Sequence, residues 1–125
     1  MTLALIDTDC CVFALTGTHP LLRERLMERA PGTVAISSIT FAEIALGSVN
    51  GKAPPIAVLE AFVGEIPVVD FGESAARSYA LLPFKRGRFD RLLAAHAMSL
   101  DAVLVTNNER DFSDIIGLRL ENWTR

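Results

Sequence analysis

A chain of 125 residues, half of them hydrophobic, has enough apolar mass for one packed core and too little length for two. Twelve Lys and Arg against 15 Asp and Glu leave a formal charge of −3, which argues against a generic nucleic-acid coat while leaving room for a local basic groove. No apolar run reaches the roughly 18 residues of a membrane span, and the start MTLALIDTD lacks the basic opening of a signal peptide.

In chain order, residues 3–6 read as a short buried strand and 9–15 as a helix ended by Gly17. Residues 21–29 read as a second helix, opened by Pro20 and closed by Pro31-Gly32. A strand at 33–36 follows. Ser37 or Ser38 then caps a helix running to about Ser48, stopped near Asn50-Gly51. Pro54-Pro55 open a helix over 56–63. A strand at 66–69, a helix at 73–82 stopped by Pro83, a helix at 89–99 and a strand at 102–105 come next. Residues 109–112 read as a helical turn and 118–120 as a last edge strand. Short apolar strands alternating with helices predict an α/β fold with a central, mainly parallel sheet of four to five strands flanked by helices, residues 1–125 forming one domain.

The adjacent Cys10 and Cys11 have no CxxC or His/Cys ligand spacing and read as small buried side chains in a reducing cytosol. The mean hydropathy of +0.33 is high for a small soluble chain and predicts an apolar surface covered by a partner, either another copy or a second protein.

Three acids interrupt this apolar pattern. Asp7 ends the first strand, Glu43 sits inside ISSITFAEIALG, and Asp90 opens FDRLLAAHAM. In parallel α/β sheets ligands bind beyond the carboxyl ends of the strands. Asp7, the Ser37-Ser38 pair leading to Glu43, and Thr106-Asn107-Asn108 all fall on that rim. Lone buried carboxylates are costly unless paired or bound to a cation, so the three predict one shared site for a hard divalent ion, Mg2+ before others. Each acid also has a plainer reading: Asp7 as a helix N-cap, Glu43 as the partner of an internal Arg, Asp90 as a charge at a helix start. Asn107 and Asn108 fit a turn, Asp9 a cap, Asp111 and Asp114 solvated charges, and His96 a structural side chain. Lys85, Arg86, Arg88 and Arg91 surround Asp90 and predict a phosphate-binding rim, with Gly87 allowing close approach and Phe84 available to stack on a base.

The segments LIDTDCCVFAL, ISSITFAEIALG, GRFDRLLAAHA, LVTNNERDF and GLRLENW together resemble the PIN-domain ribonucleases, and within them the VapC toxins of bacterial toxin–antitoxin pairs. The resemblance covers nearly the whole chain. It implies a three-layer PIN-like fold and an endoribonuclease using Mg2+ or Mn2+. By position it places Asp7, Glu43 and Asp90 as the acids of the site and Asn108 as the fourth ligand position. Thr8 and Thr106 match hydroxyl positions beside the site, with Asp9 and Asn107 as their neighbours. The resemblance further implies an antitoxin that wraps an apolar groove and inserts a basic side chain among the acids, toxin homodimers or toxin–antitoxin hetero-oligomers, and DNA contact only through the antitoxin. The chain departs from the pattern at Asp9, where Asn is common, at Asn108, which supplies no charge, and in the short segment LLPFKRGRFD before Asp90.

Two other functions fit parts of the chain. ALIDTDCCV resembles the D-x-D loop of haloacid-dehalogenase-type phosphatases, which would make Asp7 a nucleophile and use Asp111 and Asp114 as the late acidic pair. A catalytically silent PIN-like binding protein would account for Asn108, Asp9 and the shortened segment.

Overall fold

A computed structural model describes residues 2–85 and 89–125. Five strands form one parallel sheet: β1 (Ala4–Ile6), β2 (Val34–Ser37), β3 (Val68–Val69), β4 (Val103–Val105) and β5 (Leu120–Glu121), in the spatial order β3-β2-β1-β4-β5. Helices α1 (Thr8–Thr16), α2 (Pro20–Met27), α3 (Ser38–Val49), α4 (Ile56–Val63), α5 (Glu73–Ala80) and α6 (Phe89–Ser99) complete the α/β architecture, with a 3-10 turn at Glu109–Phe112.

The alternation of side chains along each strand separates two cores. Ala4, Ile6, Val34, Ile36 and Val105 face one side, where Cys10, Cys11, Leu22, Ile44 and Leu59 of the first four helices cover them. Leu5, Ala35 and Leu104 face the other, against Leu93, Ala94 and Ala97 of α6. Both faces of the central strands are therefore covered, and β1, β2 and β4 read as unbroken apolar runs with a single polar exception, Ser37. The result is three layers, as the family resemblance implies. Cys10 and Cys11 are buried and unpaired. Among the described residues no helix is long and apolar enough to cross a membrane.

Element boundaries shift where backbone hydrogen bonds go elsewhere. The strand expected at 66–69 shrinks to Val68–Val69, because Ile66 N donates to Phe62 O at the end of α4 and Pro67 has no N–H to give. The helix expected to reach residue 82 ends at Ala80; Leu81 and Leu82 close a turn onto Ser78 O and Tyr79 O before Pro83. The last strand starts at Leu120 rather than 118, after a turn that needs Gly117 at φ +89°. Gly17, at φ +73°, ends α1 as expected, its N–H bonded to Phe13 O.

The sheet order puts β1 at the centre, with later strands added on one side through β2 and on the other through β4. The carboxyl ends of β1 and β4 thus flank the topological switch point. The wholly buried Leu104 carries this junction. Leu104→Ala is expected to cost about 2–5 kcal/mol in urea unfolding, whereas Leu46→Ala on the exposed face of α3 should stay within about 0.5 kcal/mol of the parent.

Candidate active site

Ile6 pairs with Val105 in the parallel ladder, so the residues that follow them, Asp7 and Thr106, stand side by side at the switch point. Asp7 N donates to Val105 O at 2.9 Å, and Thr106 N to Glu121 O at 3.0 Å, which carries the ladder one residue past each strand. Asp7 has extended backbone and is the N-cap of α1: its Oδ1 accepts from Cys10 N at 2.9 Å. The Thr106 hydroxyl also hydrogen-bonds the Asp7 carboxylate, and Thr106 Oγ1 accepts from Asn108 N at 3.1 Å. Asp7 therefore caps a helix and lines the cleft with the same side chain; its plain and functional readings coexist.

Glu43 reaches the same place from α3. Ser37 at the end of β2 caps that helix, its Oγ accepting from Ile39 N. Glu43 Oε1 accepts from Thr8 Oγ1 at 2.7 Å, and Thr8 Oγ1 lies 3.3 Å from Thr40 Oγ1. The Arg partner entertained for Glu43 is replaced by a hydroxyl. Asp90 arrives from the first turn of α6. Asp7, Thr8, Asp9, Glu43, Asp90, Thr106 and Asn108 line one cleft of about 100 Å³, with Leu93 and Phe112 as its apolar wall. Among the described residues no Lys, Arg or His lines it.

The electrostatics follow from that lining. Burial raises the Asp7 carboxyl above its ordinary value, offset in part by the bonds from Thr106 and Cys10. Burial also raises Glu43, and repulsion from Asp90 and Asp9 adds to it, against the Thr8 bond. A divalent cation would relieve both effects. Its donors would all be oxygens, which suits a hard ion. Among the described residues no group of three or more His, Cys, Asp or Glu side chains stands close enough together to hold a metal ion by itself. The donors instead line an open cleft, the arrangement expected of an ion that keeps several waters and takes one or two carboxylates.

The other expected residues divide. Thr8, Asp9 and Thr106 are at the cleft. Asn107 is exposed and not among its lining residues; its backbone hydrogen-bonds the Cys10 thiol. Asn108 Nδ2 donates to Asp111 Oδ2 at 2.6 Å, leaving its carbonyl oxygen as the neutral donor. Lys85 is exposed, and Arg86, Gly87 and Arg88 lie outside the described residues. Arg91 does not belong to the basic rim. It is 2% exposed, and its Nη2 donates to Asp114 Oδ1 at 2.8 Å and to Asp111 O at 3.0 Å. The reason is helical geometry: about 100° of rotation from Asp90 turns its neighbour away from the same face. His96 is structural, with Nδ1 2.9 Å from the Ser37 hydroxyl. Leu93 and Phe112 fall within apolar or motif segments of the sequence, and nothing in the periodicity marks them as walls of the cleft.

The PIN domain family matches residues 4–118. The tRNA(fMet)-specific endonuclease VapC of Shigella flexneri is 33% identical over an alignment of 129 positions that covers 96% of this chain and 97% of that protein. The chain belongs to the VapC family of PIN-domain proteins. Its fold is similar to that in VapBC2 from Rickettsia felis bound to a DNA fragment from their promoter, with a TM-score of 0.86, 31% identity and coverage of 97% and 98% of the two chains. It is similar also to DNA-bound VapBC from Salmonella typhimurium, with a TM-score of 0.85, 31% identity and coverage of 98% and 99%. The phosphatase alternative falls with this match. Asp111 and Asp114, needed as its late acidic pair, instead hold Asn108 and Arg91.

A VapC-type cleft of raised carboxyls has a stability signature. Both folded pKa values lie above the unfolded 3.8 and 4.5, so stability from these groups is fully present below those values and is lost as pH rises through the raised ones. Asp7→Asn and Glu43→Gln keep an acceptor oxygen for Cys10 N and Thr8. Their melting temperatures in chelator at pH 7.5 should equal or exceed that of the parent, with the gap closing toward pH 4. A fall of several degrees in differential scanning fluorimetry would contradict the electrostatic reading.

Proposed function

We propose that this chain is the toxin half of a type II toxin–antitoxin pair, a metal-dependent endoribonuclease that hydrolyses RNA phosphodiester bonds. Its ion is Mg2+, with Mn2+ able to serve, held by Asp7, Glu43 and Asp90 and by the neutral oxygen of Asn108. Residues 1–125 act as one PIN domain. The observation that carries this reading is the meeting of acids from three separate elements at the switch point, in a cleft with no cationic lining residue among those described. Bound there, the ion would supply the charge that activates a water and stabilises the leaving oxygen.

The chain's own groups orient the donors. Cys10 N and the Thr106 hydroxyl fix Asp7, and the Thr8 hydroxyl fixes Glu43. Lys85, with Arg86 and Arg88 of the same segment, offers positive charge to the RNA backbone, and Phe84, 77% exposed, offers a face for a base. The similarity to an endonuclease that is specific for tRNA(fMet) supports RNA as the substrate class.

The partner is a VapB-like antitoxin. A groove of about 740 Å³ beside α1, α2 and α4, lined by Leu15, Leu26, Met27, Val58, Phe62 and Ile66, offers an amphipathic segment an apolar seat. A basic side chain from the antitoxin would neutralise the cleft acids, and DNA contact belongs to the antitoxin, as the DNA-bound VapBC relatives support. Exposed Leu46, Val49 and Leu81 support further assembly into a homodimer or hetero-oligomer. The place of action is the cytoplasm.

Expression of the chain alone, beside Asp90→Asn, tests the reading. Wild type should arrest growth and produce discrete new RNA 5′ ends. The variant should lower cleavage by about 100-fold or more and permit growth. Folded wild-type chain that gives neither arrest nor cleavage, with Mg2+ or Mn2+ supplied in vitro, would instead favour the silent binding protein.

A further inference from the structure

We infer that Arg91 is a positioning residue: a buried strut that sets Asp90 and Asn108 against each other across the cleft. This rests on the metal-site reading proposed above and extends it to a side chain that does not line the cleft.

Arg91 follows Asp90 in the first turn of α6, and its two hydrogen bonds to described residues leave the helix for the segment that carries Asn108. One goes to the Asp111 carbonyl and the other to the Asp114 carboxylate. Asp111 is held a second time, its carboxylate accepting from Asn108 Nδ2 at 2.6 Å. A continuous path therefore runs from the helix of one cleft acid through Arg91 and Asp111 to the amide of Asn108. The far side of the same turn is tied to the C-terminal segment, with Glu109 Oε1 accepting from Asn122 Nδ2 at 3.1 Å and from Arg125. Clamped on that side, the turn takes its setting relative to α6 from Arg91. Among the described residues the two also meet through apolar packing of Phe112 and Ile115 with Leu93 in the same core cluster, which is non-directional and tolerates sliding.

Stability is a poor reason for this Arg. A guanidinium that is 2% exposed loses its hydration; Nη1 is buried with no hydrogen-bond partner among the described residues, and the Asp114 side chain keeps 35% exposure, which weakens the pair. Buried pairs of this kind are often matched or bettered by apolar side chains of similar size. What an apolar side chain cannot supply is the pair of directed bonds.

The test compares Arg91→Met, Arg91→Lys and Asp114→Asn with the parent, reading Mn2+ binding by calorimetry, the Asn108 side-chain amide signal by NMR, and melting temperature. Asp101→Asn, which breaks an exposed pair with Arg119, serves as control. Arg91→Met should melt close to the parent, bind Mn2+ about 10- to 100-fold more weakly and shift the Asn108 signal. Arg91→Lys should recover part of the affinity, because Lys is a point charge without the fork. Asp114→Asn should move both readouts less, since the bond to the Asp111 carbonyl stays, and the control should move neither. A folded Arg91→Met that keeps Mn2+ affinity within two-fold and leaves the Asn108 signal unmoved overturns the inference. If that variant does not fold, an Asp114→Asn protein unchanged in both readouts overturns it. Wild type that binds no Mn2+ overturns the metal reading, and an unmoved Asn108 signal in Arg91→Met then overturns the strut as well.

Discussion

The register of β1 against β4 is the constraint on which the cleft depends. With Ile6 opposite Val105, the first residue beyond each strand emerges at the switch point, and the Asp7 carboxylate meets the Thr106 hydroxyl. A slip of one residue would send the core side chains of β1 to the wrong faces. The packing of Ala4 and Ile6 on one side and Leu5 on the other therefore enforces the same register that places the acid. Core and site are specified together, and the second comes at no separate cost in strand geometry.

Gathering the acids works against stability. Asp7 and Glu43 are both held above their ordinary carboxyl values, chiefly by burial. The fold offsets this with neutral donors rather than cations: Cys10 N and Thr106 for Asp7, Thr8 for Glu43. A cation built into the lining would quench the negative potential that an external divalent ion needs. Among the described residues near Asp90 in sequence, the buried cation Arg91 is directed to Asp114 and the Asp111 carbonyl instead. Attraction for an ion and rigidity of the donors thus come from different groups.

Much of this was legible in the chain itself. Asp7, Glu43 and Asp90 stood out because each broke an apolar pattern, and the strand-helix alternation placed two of them, with Asn108, on one rim of a parallel sheet. Boundaries were less legible where a backbone group had two available partners, as at Ile66, Leu81 and Leu118. Arg91 misleads because charge near Asp90 in sequence looks alike whether it points to solvent or inward, and the one-residue step around the helix that separates the two gives no sign of what waits on the inner side. Asn107 and Asn108 are adjacent and chemically identical, yet only Asn108 lines the cleft; the turn after β4 distinguishes them.

The sequence by itself determined the α/β class, the parallel sheet, the burial of both cysteines and the identity of the acids, because periodicity and the cost of interrupting it are local properties. The tertiary structure alone decided which donors orient those acids, that Leu93 and Phe112 wall the cleft, and that Arg91 leaves the surface to brace the Asn108 turn. Each of these joins residues far apart along the chain, such as Thr8 with Glu43 and Arg91 with Asp114. Such pairings depend on the distance and direction between packed elements, which no single segment encodes.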